Sequence, residues 1–417
     1  GNNNHSLIGG QNNNISGISN ALCIGNNLTI DGGNLFIVTG FNNNVSDANY
    51  STINGSNNII NKADNLLVAG SNNEVKTDMD TVSIQGYNTN DGFVCGKQNK
   101  ITNTKNFSVN GFQNVINSSQ NIIVSGTTNT FTNTSDTIIS GLDNNSTLFN
   151  KGLIIGNNNE GHSSENSIIS GNNNYIKKSS INSIASGLDN KVNYTNHSFI
   201  IGSENEINAS TQADNTNITS NSFISGNKNE ISGTTNMAVF GTENKSNTNS
   251  INCLISGNNN EAKQSAMSSI ISGNLNTNES SSDSLLIGKE NTVKLTNKSA
   301  SLGEKNVLNN VNNSLALGFS NSIMSDSENI LISGKNNIAQ TEAKTSIISG
   351  ENNNVTGGKS NSIIGTSNVS ITDEDSIIGG KGNQTTDGKM NNVTGEFNVV
   401  NASESNLISG NRNSLTI

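Results

Sequence analysis

The sequence predicts an all-β protein: a parallel β-solenoid of about 27 short repeats, most of them fifteen residues long. A glycine recurs 27 times between Gly10 and Gly410; of the 26 intervals, 18 have a length of fifteen and six a length of sixteen. Short apolar runs precede this glycine and Asn follows it. A repeat this short cannot bury its own apolar face, so it must stack on copies of itself. We therefore expect residues 1–417 to form a single solenoid domain.

The apolar run before each glycine predicts a short strand. We number positions from the repeat glycine, so that position −2 is the residue two before it. Position −2 is apolar in 26 of 27 repeats, with Ser301 the exception, and position −3 is apolar in 22. Runs of three to five residues rich in Ile and Val are typical of strands and too short for helices. We expect the glycine itself at a tight corner, which often needs a positive φ or a close backbone approach.

Asn dominates the segment after the glycine. Position +3 is Asn in 25 of 27 repeats, with Leu28 and Thr89 the exceptions. Asn tolerates left-handed backbone at corners, and its side chain bonds to nearby backbone groups. Stacked copies place amide over amide, which predicts a hydrogen-bonded ladder along the solenoid. We interpret these positions as scaffold rather than as a binding site.

Paired apolar residues predict an outward apolar stripe. Neighbours on a strand face opposite sides, yet both members of Ile168–Ile169 and of Ile347–Ile348 are apolar. One member fills the core and the other points outward, over too many turns to remain in water. We expect identical chains to cover the stripe through rotational symmetry. A broader two-sheet solenoid that buries both columns is the alternative.

Composition excludes several partners. The net charge of −10 argues against nucleic acid and against anionic membranes, both of which favour basic surfaces. The longest apolar runs are far shorter than a membrane span, so we expect no membrane contact by this segment.

The sequence has three cysteines, Cys23, Cys95 and Cys253. They are too far apart along a solenoid to form disulfides, and we expect them to be buried fillers.

No motif for catalysis or metal binding is evident. The sequence holds no HExxH, no paired Cys motif and no nucleophile elbow, and His5, His162 and His197 each stand alone among polar residues. The acidic run Asp373-Glu374-Asp375 is interpreted as a solvated corner. We therefore expect no enzymatic activity, no cofactor and no metal.

Two irregular turns are the candidate binding sites, because a specific partner reads an irregularity more readily than a repeated corner. The interval between Gly202 and Gly226 is nine residues longer than the common one, and the interval between Gly86 and Gly96 is five residues shorter. The long turn would project a polar segment from the flank, and the short turn would expose aromatic side chains, which are enriched at binding hot spots. The candidate receptor-binding residues are Ala209, Ser210, Thr211, Gln212, Asp214, Asn215, Asn217, Tyr87, Asp91 and Phe93.

A family resemblance rests on two segments. Asn313-Ser314-Leu315-Ala316-Leu317-Gly318 and Asp283-Ser284-Leu285-Leu286-Ile287-Gly288 are similar to the head repeat of YadA-like trimeric autotransporter adhesins. The resemblance implies a left-handed parallel β-roll, a homotrimer about a common axis, and a fragment of a longer chain anchored in the bacterial outer membrane through a missing C-terminal segment. That family's repeat is typically one residue shorter than the common repeat here, and its residues beside the glycine are smaller.

Two functions fit these expectations. In the first, the chain is a surface adhesin head that binds a host cell-surface or extracellular matrix protein. Carcinoembryonic-antigen-related cell adhesion molecules are one candidate receptor class, because the Asn-rich composition suits an AT-rich genome such as that of a fusobacterium, and some fusobacterial members of the family bind them. In the second, the chain is a passive fibre or spacer that carries a tip or anchor domain lying elsewhere.

Overall fold

The computed structural model describes most of the C-terminal two thirds of the chain and shorter segments before it. The described residues are 6–17, 19–32, 36–45, 51–54, 57, 59–60, 67–69, 74–76, 100–102, 107–110, 122–125, 130–132, 137–147, 150–177, 180–208, 219–247 and 249–416. The chain divides into two compact units, Gly1–Glu204 and Asn205–Ile417. Each unit is a parallel β-solenoid, and no residue within the described segments is helical. The predicted fold class is confirmed at this level.

Every regular coil has three sides. Face A is a strand of up to five residues that contains the repeat glycine from Leu153–Asn157 onward, and face B is a strand that is mostly three residues long and begins at position +4. Face C is, in most coils, a single bridging residue at position +9. Each side pairs in parallel with the same side of the next coil, as Leu285, Ala300 and Leu315 do on face A.

In the first unit, the face A strands are Ser6–Ile8, Ala21–Cys23, Phe36–Val38, Ser51–Ile53, Leu67–Val68, Phe107–Val109, Ile122–Ser125, Ile138–Ser140, Leu153–Asn157, Ile168–Asn172, Ile184–Leu188 and Phe199–Ser203. Its face B strands are Asn14–Ile15, Thr29–Ile30, Asn44–Val45, Ile59–Ile60, Glu74–Lys76, Lys100–Thr102, Thr130–Thr132, Asn145–Thr147, Glu160–His162, Tyr175–Lys177 and Lys191–Asn193. Its face C strand is Thr195–Asn196.

In the second unit, the face A strands are Phe223–Asn227, Ala238–Thr242, Leu254–Asn258, Ile270–Asn274, Leu285–Lys289, Ala300–Glu304, Leu315–Phe319, Leu331–Lys335, Ile347–Glu351, Ser362–Thr366, Ile377–Lys381, Asn392–Glu396 and Leu407–Asn411. Its face B strands are Glu206–Asn208, Glu230–Ser232, Lys245–Ser246, Glu261–Lys263, Thr277–Glu279, Thr292–Lys294, Val307–Asn312, Ser322–Glu328, Ile338–Gln340, Asn354–Thr356, Val369–Ile371, Gln384–Thr386, Val399–Asn401 and Ser414–Thr416. Its face C strand is Thr219–Ser220.

Left-handed residues make the corners between the faces. In the coil of Gly156 these are Asn158, Ser163 and Asn166, with φ of 53°, 51° and 49°. Left-handed backbone is costly for most residues and least so for Gly and Asn, so the abundance of Asn suits three such corners in each fully described coil from Gly156 onward. The three corners together return the chain to face A at the end of each repeat.

The longer, sixteen-residue repeats keep this register by adding their extra residue at the corner between faces B and C. There two consecutive residues are left-handed: Gln264 with Ser265, Ser325 with Asp326, and Thr341 with Glu342. Face A pairing continues unshifted beside them, as Leu315 pairs with Leu331 and Leu331 with Ile347. This corner is therefore the place where a coil accepts added length.

The core is a narrow column of small and medium side chains. Position −2 is buried throughout the coils from Ile139 to Val393, and position +5 fills the opposite wall with residues such as Ile231, Val293 and Leu308. Ser301, which breaks the apolar rule at position −2, is also buried, and its hydroxyl donates to Asn291 Oδ1 at 3.1 Å. Cys23 and Cys253 are buried free thiols, as expected, while Cys95 lies outside the described residues.

The repeat glycine is not a corner residue, which corrects the placement that the sequence suggested. It lies inside the face A strand, as Gly380 does within Ile377–Lys381, and the corner follows two residues later. Gly380 has φ of +106°, and a Cβ there would overlap the carbonyl oxygen of Gly395 and lie 3.0 Å from its carbonyl carbon. The close approach of successive coils is what requires glycine.

That close approach serves the Asn ladder, which the structure confirms. From Asn144 to Asn398 the described position +3 amides are fully buried, and within each unit successive Asn residues are hydrogen-bonded. Asn337 Nδ2 donates to Asn321 Oδ1 at 3.1 Å, to Ser333 O at 3.1 Å and to Gly350 O at 2.8 Å. Its Oδ1 accepts from the backbone N and from Nδ2 of Asn353, both at 3.0 Å. The repeat glycine turns its carbonyl inward to accept from this ladder, so glycine and Asn form one structural device.

Candidate functional site

The predicted receptor-binding residues all lie outside the described residues. Tyr87, Asp91 and Phe93 fall within 77–99, and the candidates from Ala209 to Asn217 fall within 209–218. The second of these segments connects the face B strand Glu206–Asn208 to the face C strand Thr219–Ser220. In sequence the segment thus lies between faces B and C, where the sixteen-residue repeats also carry their added residue.

Face A carries the outward apolar stripe, and the structure places it in two columns. Positions −3 and −1 flank the buried position −2 and face outward, as expected for alternation along a strand. Ile347 and Ile377 at position −3 are 51% and 50% exposed, and Ile364 at position −1 is 54% exposed. A single coil therefore buries position −2 and leaves the apolar residues at positions −3 and −1 exposed. This is contrary to the two-sheet alternative, in which one chain buries both members of each apolar pair.

In the second unit the two columns compensate each other in volume within a coil. Where position −3 is small, at Ala238, Ala300 and Ser362, position −1 is Phe240, Leu302 and Ile364. Where position −3 is large, position −1 is Ser, Gly or a second apolar residue. In the second unit, twelve of the thirteen face A strands thus present at least one large apolar side chain outward, and only the strand with Asn392 and Thr394 presents none. The stripe is therefore interrupted at one coil of the second unit.

Face B is polar, and several of its charged residues form ion pairs between neighbouring coils. Lys177 Nζ lies 3.0 Å from Glu160 Oε2 in the first unit, and in the second unit Lys294 Nζ lies 3.1 Å from Glu279 Oε1. These groups are partly exposed, so each pair contributes little to stability. Charges that already pair with their neighbours and remain hydrated are typical of a solvent-facing surface.

Face C is also polar over most of its described length. In the coils towards Ile417 its outward residues are all charged, namely Glu328, Lys344, Lys359, Glu374, Lys389 and Glu404. Towards Asn205 the exposed apolar residues Ile251 and Met267 interrupt it. Face A is therefore the one extended apolar surface within the described coils.

The position of Asp373 corrects the interpretation of the acidic run Asp373-Glu374-Asp375 as a solvated corner. Its side chain is fully buried in the column, where Ser370 Oγ donates to Oδ2 at 2.6 Å, Gly388 N donates to Oδ1 at 2.8 Å, and the Thr385 hydroxyl also donates. Asp375 is exposed and Glu374 is partly exposed. Burial raises the pKa of the Asp373 carboxyl, although the three hydrogen bonds oppose this shift. The equivalent position in the other described coils is Ser, Thr, Ala, Gly or Val, which carry no charge.

Replacing Asp373 by Asn is expected to stabilise the protein at neutral pH. The pKa of the Asp373 carboxyl is raised in the folded state, so the folded protein binds this proton more tightly than the unfolded chain does. The free energy of unfolding of the wild type therefore falls as the pH rises from 3.8, the ordinary pKa, through the raised pKa of the folded state. Thermal unfolding across the acid and neutral range should show the wild type losing stability relative to Asp373→Asn over that window. Asp375→Asn is the matched control and should follow the wild type; a parallel profile for Asp373→Asn would contradict the account.

The described residues offer little for chemistry. They contain no group of three or more His, Cys, Asp or Glu side chains placed to hold a metal ion. Of the histidines, His197 is exposed and contacts Asn182 Nδ2 through Nε2 at 3.1 Å, His162 is partly exposed, and His5 lies outside the described residues. Within the described part of the chain, no helix is long and apolar enough to cross a membrane.

Comparison with known proteins assigns no family. No family model matches the chain, and no curated protein matches it either. A functional proposal for the chain therefore rests on the geometry of its three faces.

Proposed function

We propose that this chain is the head of a homotrimeric bacterial surface adhesin, similar to the YadA-like trimeric autotransporters, in which three left-handed solenoids pack through their A faces. The observation that carries the proposal is the two-column apolar stripe, which a single chain leaves exposed. Apolar surface on this scale typically marks an interaction site. An identical chain is the favoured occupant, because stripe and partner then have the same length and the same coil spacing, and the resemblance supports three chains.

Face A packing leaves the other two sides free for a receptor. In sequence the segment 209–218 lies between the face B strand Glu206–Asn208 and the face C strand Thr219–Ser220, and it is the proposed receptor-binding segment. The proposed partner is a host cell-surface protein, with carcinoembryonic-antigen-related cell adhesion molecules as one class, or an extracellular matrix protein. The chain would then act at the bacterial surface, with the outer-membrane anchor supplied by a further C-terminal segment.

A passive fibre is the second candidate function. Its support is the regularity of faces B and C, where charges pair with their own neighbours and present no broad patch of one sign within the described coils. Such surfaces resist association, as a spacer requires. The two functions differ in whether this segment alone binds a host protein.

The decisive variant removes residues Ser210 to Ile218. These nine residues are the excess of the longest interval over the common one, so the deletion restores an ordinary repeat. Immobilised host-cell ectodomains and matrix proteins would be screened for binding to the intact chain and to the variant. The adhesin proposal expects binding by the intact chain and at least a tenfold weaker affinity after the deletion.

The controls separate the site from the function. A variant with the same nine residues in scrambled order keeps the length and composition and should also lose binding. Full binding by both variants would show that the binding site lies outside residues Ser210 to Ile218, and it would leave the adhesin proposal standing. An intact trimer that binds none of the proteins screened would favour the passive fibre.

A further inference from the structure

Exposed apolar residues also occur outside the two columns of face A, at its two edges. We call positions −6 and −5, which are the bridging residue of face C and the corner after it, the leading edge, and positions +1 and +2, which are the last residue of the face A strand and the corner after it, the trailing edge. Three coils carry an apolar residue on both edges. The pairs, which we call the clasp pairs, are Ile181 with Leu188 in the first unit, and Met267 with Leu275 and Met390 with Phe397 in the second.

These six side chains are between 36% and 51% exposed, so none is a core residue. Within one coil, the two members cannot touch, because the strand between them is about 13 Å long from position −3 to position +1. Yet six of the nine large apolar residues that the described part of 150–416 exposes outside the columns fall into these same-coil pairs; the others are Ile251, Leu295 and Phe319. A residue on one edge and its counterpart on the other are therefore matched without being in contact.

Backbone conformation adds to the cost of placing apolar residues there. Leu275, Met390 and Phe397 are left-handed, with φ of 58°, 55° and 57°. Bulky side chains are disfavoured in this region, where Asn or Gly would serve better. A residue that is both exposed and conformationally costly points to a role outside its own chain.

The Met390–Phe397 pair stands where face A is weakest. Its strand, Asn392–Glu396, is the one in the second unit with no large apolar residue at position −3 or −1. The Phe397 ring also has a defined seat: a Cβ on Gly382 would lie 2.8 Å from its Cδ1, and Lys381 Nζ lies 5.9 Å from the ring centroid. The coil that lacks stripe residues thus has a firmly placed aromatic residue at its edge.

We infer that the clasp pairs close the seams between neighbouring copies of this chain: the leading-edge residue of one copy packs on the trailing-edge residue of the next, at the level of the same coil. This inference rests on the proposed homotrimer. In a closed ring the interface is heterologous, so each seam joins two different edges, and each copy must carry both halves of the contact. A two-fold dimer would instead bring like edges together. The matched pairs fit the ring.

Cysteine cross-linking tests the seam directly. Met390→Cys and Phe397→Cys are introduced together into a chain whose three native cysteines are replaced by Ala, and the trimer is treated with a short bismaleimide. The inference expects a covalent three-chain species on a denaturing gel from the double variant, and only single chains from either variant alone. The matched control pairs Phe397→Cys with Ala402→Cys, an exposed residue at the corner between faces B and C, and should give no cross-link.

Light scattering before cross-linking distinguishes the failures. A three-chain mass without cross-links in the double variant overturns the clasp and leaves the trimer standing. A two-chain species from a single cysteine shows that like edges meet, which overturns the ring. A single-chain mass removes the trimer and the clasp together.

As a second readout, Met390→Asn or Phe397→Asn suits the left-handed corner and should raise the dissociation constant of the trimer about tenfold, whereas an unchanged constant would contradict the inference.

Discussion

Replacing Gly380 by Ala is expected to lower the stability of the coils around it by on the order of 4 kcal/mol. The cost has two sources, a side chain on left-handed backbone and severe overpacking. Gly380 has φ of +106°, and an added Cβ would overlap the carbonyl oxygen of Gly395 in the next coil. That carbonyl is hydrogen-bonded to Asn383 Nδ2 at 2.9 Å, so it cannot retreat without breaking the ladder. Both the strand pairing and the amide column are therefore disturbed by one methyl group.

The adjacent residue supplies the control. Gly379 has no positive φ, and a Cβ there would meet nothing closer than Thr394 Cγ2 at 3.7 Å. Guanidinium unfolding followed by circular dichroism should place Gly379→Ala within about 0.5 kcal/mol of the wild type. Equal effects for the two variants would show that the close approach of successive coils does not determine the repeat glycine.

Replacing Asn337 by Gly is expected to cost about 3–5 kcal/mol, because it leaves several buried partners without a hydrogen bond. The lost amide donates to Ser333 O, Gly350 O and Asn321 Oδ1, and it accepts from both nitrogens of Asn353. In a solenoid such a loss acts on the affected coil and its two neighbours. We expect hydrogen exchange to increase first in the coils on either side of Asn337.

The same substitution at Asn336 is the matched control. Asn336 is left-handed, with φ of 54°, and its side-chain bond to Asn352 Oδ1, at 3.1 Å, lies at the surface. Gly suits that backbone, so Asn336→Gly should be nearly neutral. If Asn337→Gly were as mild, the ladder would be a by-product of stacking and not a source of stability.

The period of the sequence was enough to predict much of the architecture. The glycine spacing predicted the stacking, the residues at position −2 predicted the core column, and the Asn positions predicted the ladder. These features repeat, so each copy reinforces the inference from the others. The outward column at position −3 was also predicted, because two adjacent apolar residues on a strand cannot both face inward. The second column, at position −1, was not predicted, because many repeats have a polar residue there.

Features that occur once or that depend on exact backbone geometry were not predicted. The repeat glycine was assigned to corners, since a spacing does not reveal that the strand continues through it. Asp373 was expected in solvent, because an isolated acidic run does not show which of its members faces the column. The clasp pairs were missed because their two members are seven or eight residues apart, and the signal was an apolar residue at positions that are mostly Asn, Ser or charged.

The mass of the chain in solution tests the central claim, that the outward stripe of face A is an interface between copies. We expect light scattering to give three times the mass of a single chain. A variant with Ile287→Lys, Ile347→Lys and Ile364→Lys, all outward on face A, should give the mass of one chain while retaining its β-sheet circular dichroism. A single-chain mass for the unaltered protein would contradict the account, because the stripe would then remain in water.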